Sequence, residues 1–215
     1  MKREHIISGI EPLPPFSENL VFWAPLANGD LTDHISGTSP TLTGNGIMTW
    51  DANEQAYMFK MTTLSNSCIA YWNVDFTGMM NLNVSQEYTI FSKVKFANYV
   101  SGYPYILGLG NWNDSTSYKP HINAETCGHP STIMNCACIR YSNNTMYFMQ
   151  ANRTETNSSS HMSNPANWNN SNLCAKRVCV YFRRWNEDTA NNAYAYIKDC
   201  MVFNRALTPA EVAQL

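Results

Sequence analysis

The stretch Ile197-Lys-Asp-Cys-Met-Val-Phe-Asn-Arg-Ala-Leu-Thr-Pro-Ala-Glu-Val-Ala-Gln-Leu215, which closes the chain, decides the fold. Polar and apolar residues roughly alternate as far as Phe203, and the β-forming residues among them predict a half-buried strand. Beyond it, Thr208-Pro-Ala-Glu211 has the form of a capping box, in which the threonine hydroxyl and the glutamate carboxylate each accept a backbone N–H. Pro209 fits the first helical position, where an N–H is not needed. The stretch therefore predicts a strand, a tight turn and a short terminal helix.

The composition of the chain favours one all-β domain with a neutral, polar surface. Its 215 residues are enough for a single large β-sandwich. Charged residues make up only 14%, against about 25% in typical soluble domains, and Asn, Ser and Thr supply the surface polarity instead. The net charge is -2 and there is no run of Lys or Arg. We therefore expect no nucleic-acid partner.

The sequence shows neither a membrane span nor a leader. No apolar run approaches the roughly 18 residues that a membrane helix needs, so we expect no membrane insertion. The segment Met1–Ile10 lacks the apolar core of a signal peptide, so a leader has been removed or the protein is made without one. Seven cysteines are an odd number, and at least one stays unpaired in a monomer. Reduced thiols and synthesis in the cytoplasm are the interpretation we prefer.

Short strand patterns follow one another along most of the chain. Residues 1–19, with prolines at 12, 14 and 15, look like an N-terminal arm, and the globular domain is predicted to span residues 20–215. In Tyr88–Phe96, alternate residues are apolar, as in a strand with one buried face. Many short strands with almost no helical periodicity predict a β-sandwich. The predicted strands are Leu20–Pro25, Gly46–Trp50, Ala56–Met61, Cys68–Trp72, Tyr88–Phe96, Tyr105–Leu109, Ile133–Arg140, Thr145–Gln150, Lys176–Arg184 and Ala193–Phe203.

Several landmarks together resemble the laminin-G-like domains of the concanavalin A-like jelly rolls. The opening strand Leu20–Leu26, the turn Leu31–Gly37, the middle strand Tyr88–Lys95 and above all the closing motif Asp199–Leu207 with Glu211 are similar to that family's pattern. The resemblance covers residues 20–215. It implies a two-sheet antiparallel sandwich in which the first and last strands pair, used mainly to bind carbohydrate or protein surfaces. The sequence departs from the pattern after Lys176–Arg184, where the family's Asn-Gly hairpin is missing.

Catalytic patterns are missing from the sequence. Glycoside hydrolysis needs two carboxylates across the scissile bond, and no Glu-x-Asp-x-x-Glu spacing like that of jelly-roll glucanases is present. Glu187 and Asp188 are adjacent, so in a strand they would point to opposite faces. No Gly-x-Ser-x-Gly elbow marks a nucleophile. We expect a protein that is not an enzyme, with glycoside hydrolase as the weaker alternative.

Two patterns are compatible with a metal ion. Asp30 and Asp33 lie in the turn after the first strand, where related domains hold calcium, and calcium prefers carboxylate and carbonyl oxygens; their alternative role is that of ordinary turn residues. Cys127-Gly-His129 and Cys136-Ala-Cys138 could supply zinc ligands, but neither has the usual Cys-x2–4-Cys form. For the cysteines we prefer the role of small core or surface residues. No cofactor is required by the sequence, and a structural calcium ion is the one that it allows.

Aromatic residues flanked by asparagines predict a sugar-binding surface. Sugars stack their C–H faces on aromatic rings while neighbouring amides form hydrogen bonds. The alternative is that each tryptophan anchors its loop by half-burial. The Asn152–Asn172 segment, with seven Asn and five Ser, is predicted to be a long surface loop, either ordered and functional or disordered. The predicted contact residues are Tyr103, Tyr105, Asn111, Trp112, Asn113, Asn167, Trp168, Asn169 and Trp185.

The leading functional hypothesis is a non-catalytic module that binds a glycan or a cell-surface polymer. Such a module would suit a secreted bacterial protein or a phage-type particle. The second hypothesis is a structural module that docks partner protein chains through the N-terminal arm and an exposed sheet face.

Overall fold

The computed structural model describes residues 12–44, 46–61, 68–76, 87–97, 105–109, 121–123, 130–142, 145–149, 153–156, 177–181 and 194–215. Within these ranges it contains a 3-10 helix, thirteen strands and one α-helix. No helix in the described part has the length and hydrophobicity that a bilayer crossing requires. The elements are a 3-10 helix at Ser17–Asn19, β1 Leu20–Ala24, β2 Thr41–Leu42, β3 Gly46–Asp51, β4 Ala56–Met61, β5 Cys68–Asn73, β6 Tyr88–Ala97, β7 Tyr105–Leu109, β8 His121–Asn123, β9 Met134–Arg140, β10 Thr145–Phe148, β11 Arg153–Thr156, β12 Arg177–Tyr181, β13 Tyr194–Phe203 and α1 Pro209–Val212.

The strands form two antiparallel sheets, which confirms the predicted all-β sandwich. In the described part of the chain, the larger sheet has the order β11-β10-β9-β6-β13-β4-β3, with β1 also paired to β13. The smaller sheet has the order β2-β5-β12-β7-β8. Four of these pairings join consecutive strands (β3 with β4, β7 with β8, β9 with β10 and β10 with β11), and the others join strands that are not consecutive in the chain. Long-range pairing, above all that of β13, therefore connects the local hairpins into sheets.

The closing strand β13 is the centre of the larger sheet. It pairs with β6 along most of its length, with β4 through Ala195–Ile197 and with β1 through Cys200–Phe203. The pairing of Phe22 with Val202 lies within that last contact. The predicted pairing of the first and last strands is therefore confirmed.

The main hydrophobic core lies between the two sheets. Phe22 of β1 meets Trp72 of β5 edge to face, with ring centroids 5.4 Å apart, and both side chains are fully buried. Such aromatic pairs contribute beyond the area that they bury. Cys136 and Cys138 share one face of β9 and lie in this core, so of the two roles predicted for them, small core or surface residues, they have the first. Cys127-Gly-His129 lies outside the described residues.

A second hydrophobic cluster covers part of the outer face of the larger sheet. Leu20, Phe91 and Phe203 lie in it, and Leu207 and Val212 of the C-terminal segment pack over them. Thr89 ties that segment down, because its hydroxyl accepts the Leu207 N–H at 2.8 Å and donates to the Arg205 carbonyl at 3.0 Å. The first half of β6 is therefore buried on both faces.

The closing motif adopts the predicted capping box. The Thr208 hydroxyl accepts the Glu211 N–H at 3.2 Å, and Glu211 Oε2 accepts the Thr208 N–H at 2.7 Å. Arg205 binds the same carboxylate through both terminal nitrogens, at 2.9 and 3.1 Å. Its Nε also donates to Asn19 Oδ1 at 2.8 Å, and its guanidinium lies over the Phe16 ring. The end of the predicted arm thus packs on the closing turn.

Sequence patterns located most strands but missed three short ones. The segments Thr41–Leu42 and His121–Asn123 form strands that were not predicted. The prediction that Asn152–Asn172 is a loop is wrong at its beginning, because Arg153–Thr156 forms β11 and pairs with β10. This strand is polar throughout and lies at the border of the larger sheet as described, so it lacks the apolar alternation that reveals a strand with a buried face.

Candidate ligand-binding cleft

Within the described ranges, the outer face of the larger sheet is open where β3, β4 and β13 lie side by side. Ala195 and Ile197 of β13 point into the main core, so the alternation of side chains places Tyr194 and Tyr196 on the outer face. In the same way Tyr57 and Phe59 are core residues of β4, and the side chains between and beyond them face outward. Strand pairing across these three strands therefore assembles a surface from distant parts of the sequence.

A cleft of about 380 Å³ is formed on this face. Its volume lies within the roughly 300–1,000 Å³ range of small-molecule sites. Aromatic, aliphatic and charged groups share its walls, as in sites that bind amphipathic ligands. The lining residues are Thr49, Trp50, Asp51, Ala52, Met58, Lys60, Tyr194 and Tyr196.

Tyr196 is held in place at the floor of the cleft. Its hydroxyl donates to Asp51 Oδ2 at 3.1 Å, and its ring meets that of Tyr194 edge to face at a centroid distance of 5.6 Å. The Lys95 ammonium lies over the face of the Tyr196 ring, 5.2 Å from its centroid. Burial, together with the hydrogen bond to Asp51, raises the pKa of Tyr196, so its phenol stays a hydrogen-bond donor at neutral pH.

Asp51 supplies an ionised carboxylate at one end of the cleft. Its Oδ1 accepts the Asn53 N–H at 2.9 Å. This hydrogen bond, together with the one from Tyr196, lowers the pKa of Asp51. The neighbouring Glu54 carboxylate is paired with Lys95, at 2.5 Å. The turn after β3 thus holds the Asp51 carboxylate beside the tyrosines as an acceptor, while Lys95 neutralises the Glu54 carboxylate.

Lys60 supplies the positive charge of the cleft. It lies on β4 opposite Ile47 of β3, and the register of β4 and β13 places it beside Tyr194. Among the residues that the structure describes, its ammonium has no carboxylate partner. Trp50, by contrast, packs partly on the core and meets Tyr57 edge to face at 5.5 Å.

The predicted calcium residues organise a loop. Asp33 is fully buried; its Oδ1 accepts the N–H groups of Trp23 and Ile35 at 2.9 and 3.1 Å, and its Oδ2 accepts the backbone and hydroxyl of Ser36. Burial raises the pKa of Asp33, and these hydrogen bonds oppose that rise. A carboxylate has about four positions at which it can accept a hydrogen bond, and the hydrogen bonds from Trp23, Ile35 and Ser36 occupy about that many on Asp33.

Asp30 occupies the same loop but is more accessible. It accepts the Thr32 N–H at 2.7 Å, and its other oxygen lies 2.7 Å from His34 Nε2. Partial burial raises its pKa, but the hydrogen bonds from His34 and Thr32 leave that pKa below its usual value. No group of three or more His, Cys, Asp or Glu side chains in the described ranges is arranged to hold a metal ion. The calcium site at Asp30 and Asp33 stays a prediction.

The sugar-contacting residues predicted from the sequence lie almost entirely outside the described residues. This holds for Tyr103, Asn111, Trp112, Asn113, Asn167, Trp168, Asn169 and Trp185. Tyr105 begins β7, but its side chain is likewise outside the described part. Their role as a contact set therefore stays a prediction.

Sequence reasoning missed the cleft on the outer face. One signal was available: Tyr194 and Tyr196 alternate with Ala195 and Ile197, which indicates two tyrosines on one face of a strand. The pairing of β13 with β4, and of β4 with β3, is what adds Lys60 and Asp51. That pairing joins segments about 140 residues apart in sequence, and no local pattern reveals it.

The comparisons with known proteins show the fold. No protein-family model matches the sequence, and none of the curated proteins does. Similar solved structures include the botulinum neurotoxin serotype D ligand-binding domain in complex with N-acetylneuraminic acid, with a TM-score of 0.56 at 11% identity over 92% of this chain and 50% of that one. A structure described as showing that cell entry of botulinum neurotoxin type C depends on two ganglioside molecules has a TM-score of 0.57, at 10% identity over 92% and 50% of the two chains.

A third similar structure is the binding domain of Paraclostridial Mosquitocidal Protein 1. Its TM-score is 0.55, at 12% identity over 92% of this chain and 51% of that chain. The present chain thus spans about half the length of the structures that it matches. At these identities the likeness establishes a shared β-sandwich.

Proposed function

We propose that this protein is a non-catalytic carbohydrate-binding module and that the cleft between β3, β4 and β13 is one of its binding surfaces. The observation that carries the proposal is the pair Tyr194 and Tyr196, whose rings line a cleft of about 380 Å³ beside the ionised Asp51. Assignment to the laminin-G-like family is part of the same proposal.

The chemistry of the cleft suits a sugar ring. Aromatic faces pack against the C–H surface of a pyranose, and hydrogen-bonding groups at the border fix its hydroxyls. Asp51 accepts hydroxyl protons, and the Lys60 ammonium donates. The Tyr196 ring is already fixed by its hydrogen bond to Asp51, so little conformational entropy is lost when a ligand binds.

The similar structures support this choice of ligand class. Two of them are described through N-acetylneuraminic acid or ganglioside molecules. Each of those chains is about twice as long as the present chain, so the likeness alone does not say which half makes the contact. In this protein, the tyrosine-lined cleft is the observation that favours a sugar ligand.

The charge state of Asp51 argues for binding without hydrolysis at this cleft. A glycosidase needs one carboxyl group whose pKa is raised, so that it can act as the general acid. Hydrogen bonding lowers the pKa of Asp51 instead. Glu54, the next carboxylate along the chain, is held by Lys95.

A glycan array with the purified chain tests the proposal. We expect binding that Tyr194→Ala weakens by about tenfold or more, since the loss of one stacked ring removes on the order of 1.4 kcal/mol. Tyr71→Ala is the matched control, because Tyr71 is a half-buried tyrosine of β5 whose ring lies under Arg177 in the other sheet. A chain that binds no glycan would overturn the proposal.

The contact set predicted from sequence is tested on the same array. The double variant Trp112→Ala with Trp168→Ala removes both Asn-Trp-Asn units. If it loses binding while Tyr194→Ala keeps it, the binding surface is the predicted set and not the cleft. If the reverse holds, the cleft is the surface.

A further inference from the structure

We propose that the cleft selects acidic saccharides and holds them in one direction, with the anionic group at Lys60 and neutral hydroxyls at Asp51. This inference rests on the proposed carbohydrate-binding function and adds the class of sugar. The anionic group is a carboxylate or a sulfate, both of which an ammonium binds by charge-assisted hydrogen bonds.

The strand register places opposite charges at opposite ends of the cleft. Asp51 pairs with Ala56, and Ile47 pairs with Lys60. Ala56 and Lys60 are four residues apart on β4, which corresponds to about 13 Å along a strand. Tyr196 and Met58, which are paired with each other across the two strands, lie between these ends. The cleft therefore has a negative end, an aromatic middle and a positive end.

The charges at the two ends differ in how they are already satisfied. Asp51 accepts hydrogen bonds from Tyr196 and Asn53, so its charge is stabilised within the protein. Lys60 has no such partner among the described residues. The groups that surround it from β3, β4 and β13 are Ile47, Met58 and Tyr194, none of which carries a charge. An anionic group of a ligand would give the Lys60 ammonium the charged partner that the described residues do not provide.

The other charges on this face do not compete for the same anion. Lys95 is paired with Glu54, and Lys93 is paired with Asp199 at 2.8 Å. Lys198 lies on the same face of β13 but does not line the cleft. An anion placed at the Asp51 end would meet a carboxylate, which costs free energy through like-charge repulsion. One orientation of an acidic sugar is therefore favoured: its ring rests on Tyr194 and its anion reaches Lys60.

The test compares three oligosaccharides on the intact chain: one that ends in a uronic acid, its neutral hexose counterpart and a sulfated counterpart. For wild type in low salt we expect an affinity for the acidic sugars about tenfold or more above that for the neutral one. The preference should shrink as salt screens the pairing. The uronic and sulfated ligands show which anion is preferred.

Two lysine variants decide whether Lys60 is responsible. Lys60→Met should bind the acidic and neutral sugars equally. Lys198→Met should keep the preference, because Lys198 lies on the same face of β13 but does not line the cleft.

A wild-type chain with no preference for the acidic sugars, or a Lys60→Met variant that keeps it, would overturn the inference. Equal binding of all three sugars would refute the inference and leave the proposed function standing, whereas no binding at all would refute both.

Discussion

The two halves of β13 have the same backbone structure and opposite surroundings. From Cys200 to Phe203 every residue is buried, with Cys200 and Val202 in the main core and Met201 and Phe203 in the second cluster. From Tyr194 to Lys198 only one face enters the core, and the other forms the cleft. Between the halves, Asp199 has a φ of 53° and the register with β6 shifts.

The difference comes from what lies over each half. The closing half pairs with β1 and is covered by the turn and α1. The other half pairs with β4 and has no such cover in the described part of the chain. One strand thus supplies the centre of the fold at one end and a binding surface at the other. Changes at the two ends should separate stability from ligand binding.

The largest expected effect comes from Phe203→Ala. Phe203 is fully buried in the second cluster, and truncation of such a ring costs about 3–5 kcal/mol of unfolding free energy. Tyr194→Ala, at the open end of the same strand, should cost about 1 kcal/mol or less, as for an ordinary surface change. Urea unfolding monitored by tryptophan fluorescence measures both. Losses of similar size would show that the two halves are equally important for stability.

The closing half was predictable because its signals are local. Alternation up to Phe203, followed by the Thr208–Glu211 capping box, predicts a strand, a turn and a helix from neighbouring residues alone. The structure confirms each of them. Strand Ala56–Met61 was predicted at its observed bounds for the same reason, since its core residues Tyr57 and Phe59 alternate with outward ones.

The open half was not predictable as a site. Its parts, Asp51, Lys60 and Tyr196, are separated by up to about 140 residues and meet only through strand pairing. The burial of β6 on both faces was not predictable for a similar reason. Thr89 is a polar residue, which predicts a solvent-facing side chain, and it is buried because its hydroxyl forms hydrogen bonds with the backbone of Leu207 and Arg205. Local patterns reveal which face a residue takes, whereas the neighbours on that face depend on the sheet order.

The second largest effect is expected from Asp33→Ala, which tests the hydrogen bonds between β1 and the loop that contains Asp33. Asp33 accepts the N–H of Trp23, a buried β1 residue, and the His34 N–H donates to the Trp23 carbonyl at 2.7 Å. Loss of the carboxylate leaves a buried donor unsatisfied, which costs about 1–3 kcal/mol. Thermal unfolding should show a lower midpoint for Asp33→Ala than for Asp30→Ala, since Asp30 is partly exposed.

The same measurement tests the calcium prediction. If Asp30 and Asp33 bind the ion in the folded state only, added calcium raises the unfolding midpoint of wild type and not that of either variant. If calcium changes no midpoint, the two aspartates act through the loop hydrogen bonds alone.

The smallest effect is the most specific for the closing half, and it depends on pH. Hydrogen bonding by Arg205, with help from Thr208, lowers the pKa of Glu211 from 4.5 to about 2. A carboxylate whose pKa is depressed on folding adds stability above its unfolded pKa and loses it as the pH falls towards the folded value. Glu211→Gln should therefore lower the unfolding free energy at pH 7, by less than about 1 kcal/mol because the pair is partly exposed. The gap to wild type should shrink below pH 4.5 and close near pH 2. Urea unfolding of Glu211→Gln and wild type at pH 7, 4 and 2.5 follows this gap. A gap that stays constant with pH would mean that the Glu211 side chain stabilises the turn by packing rather than by its charge.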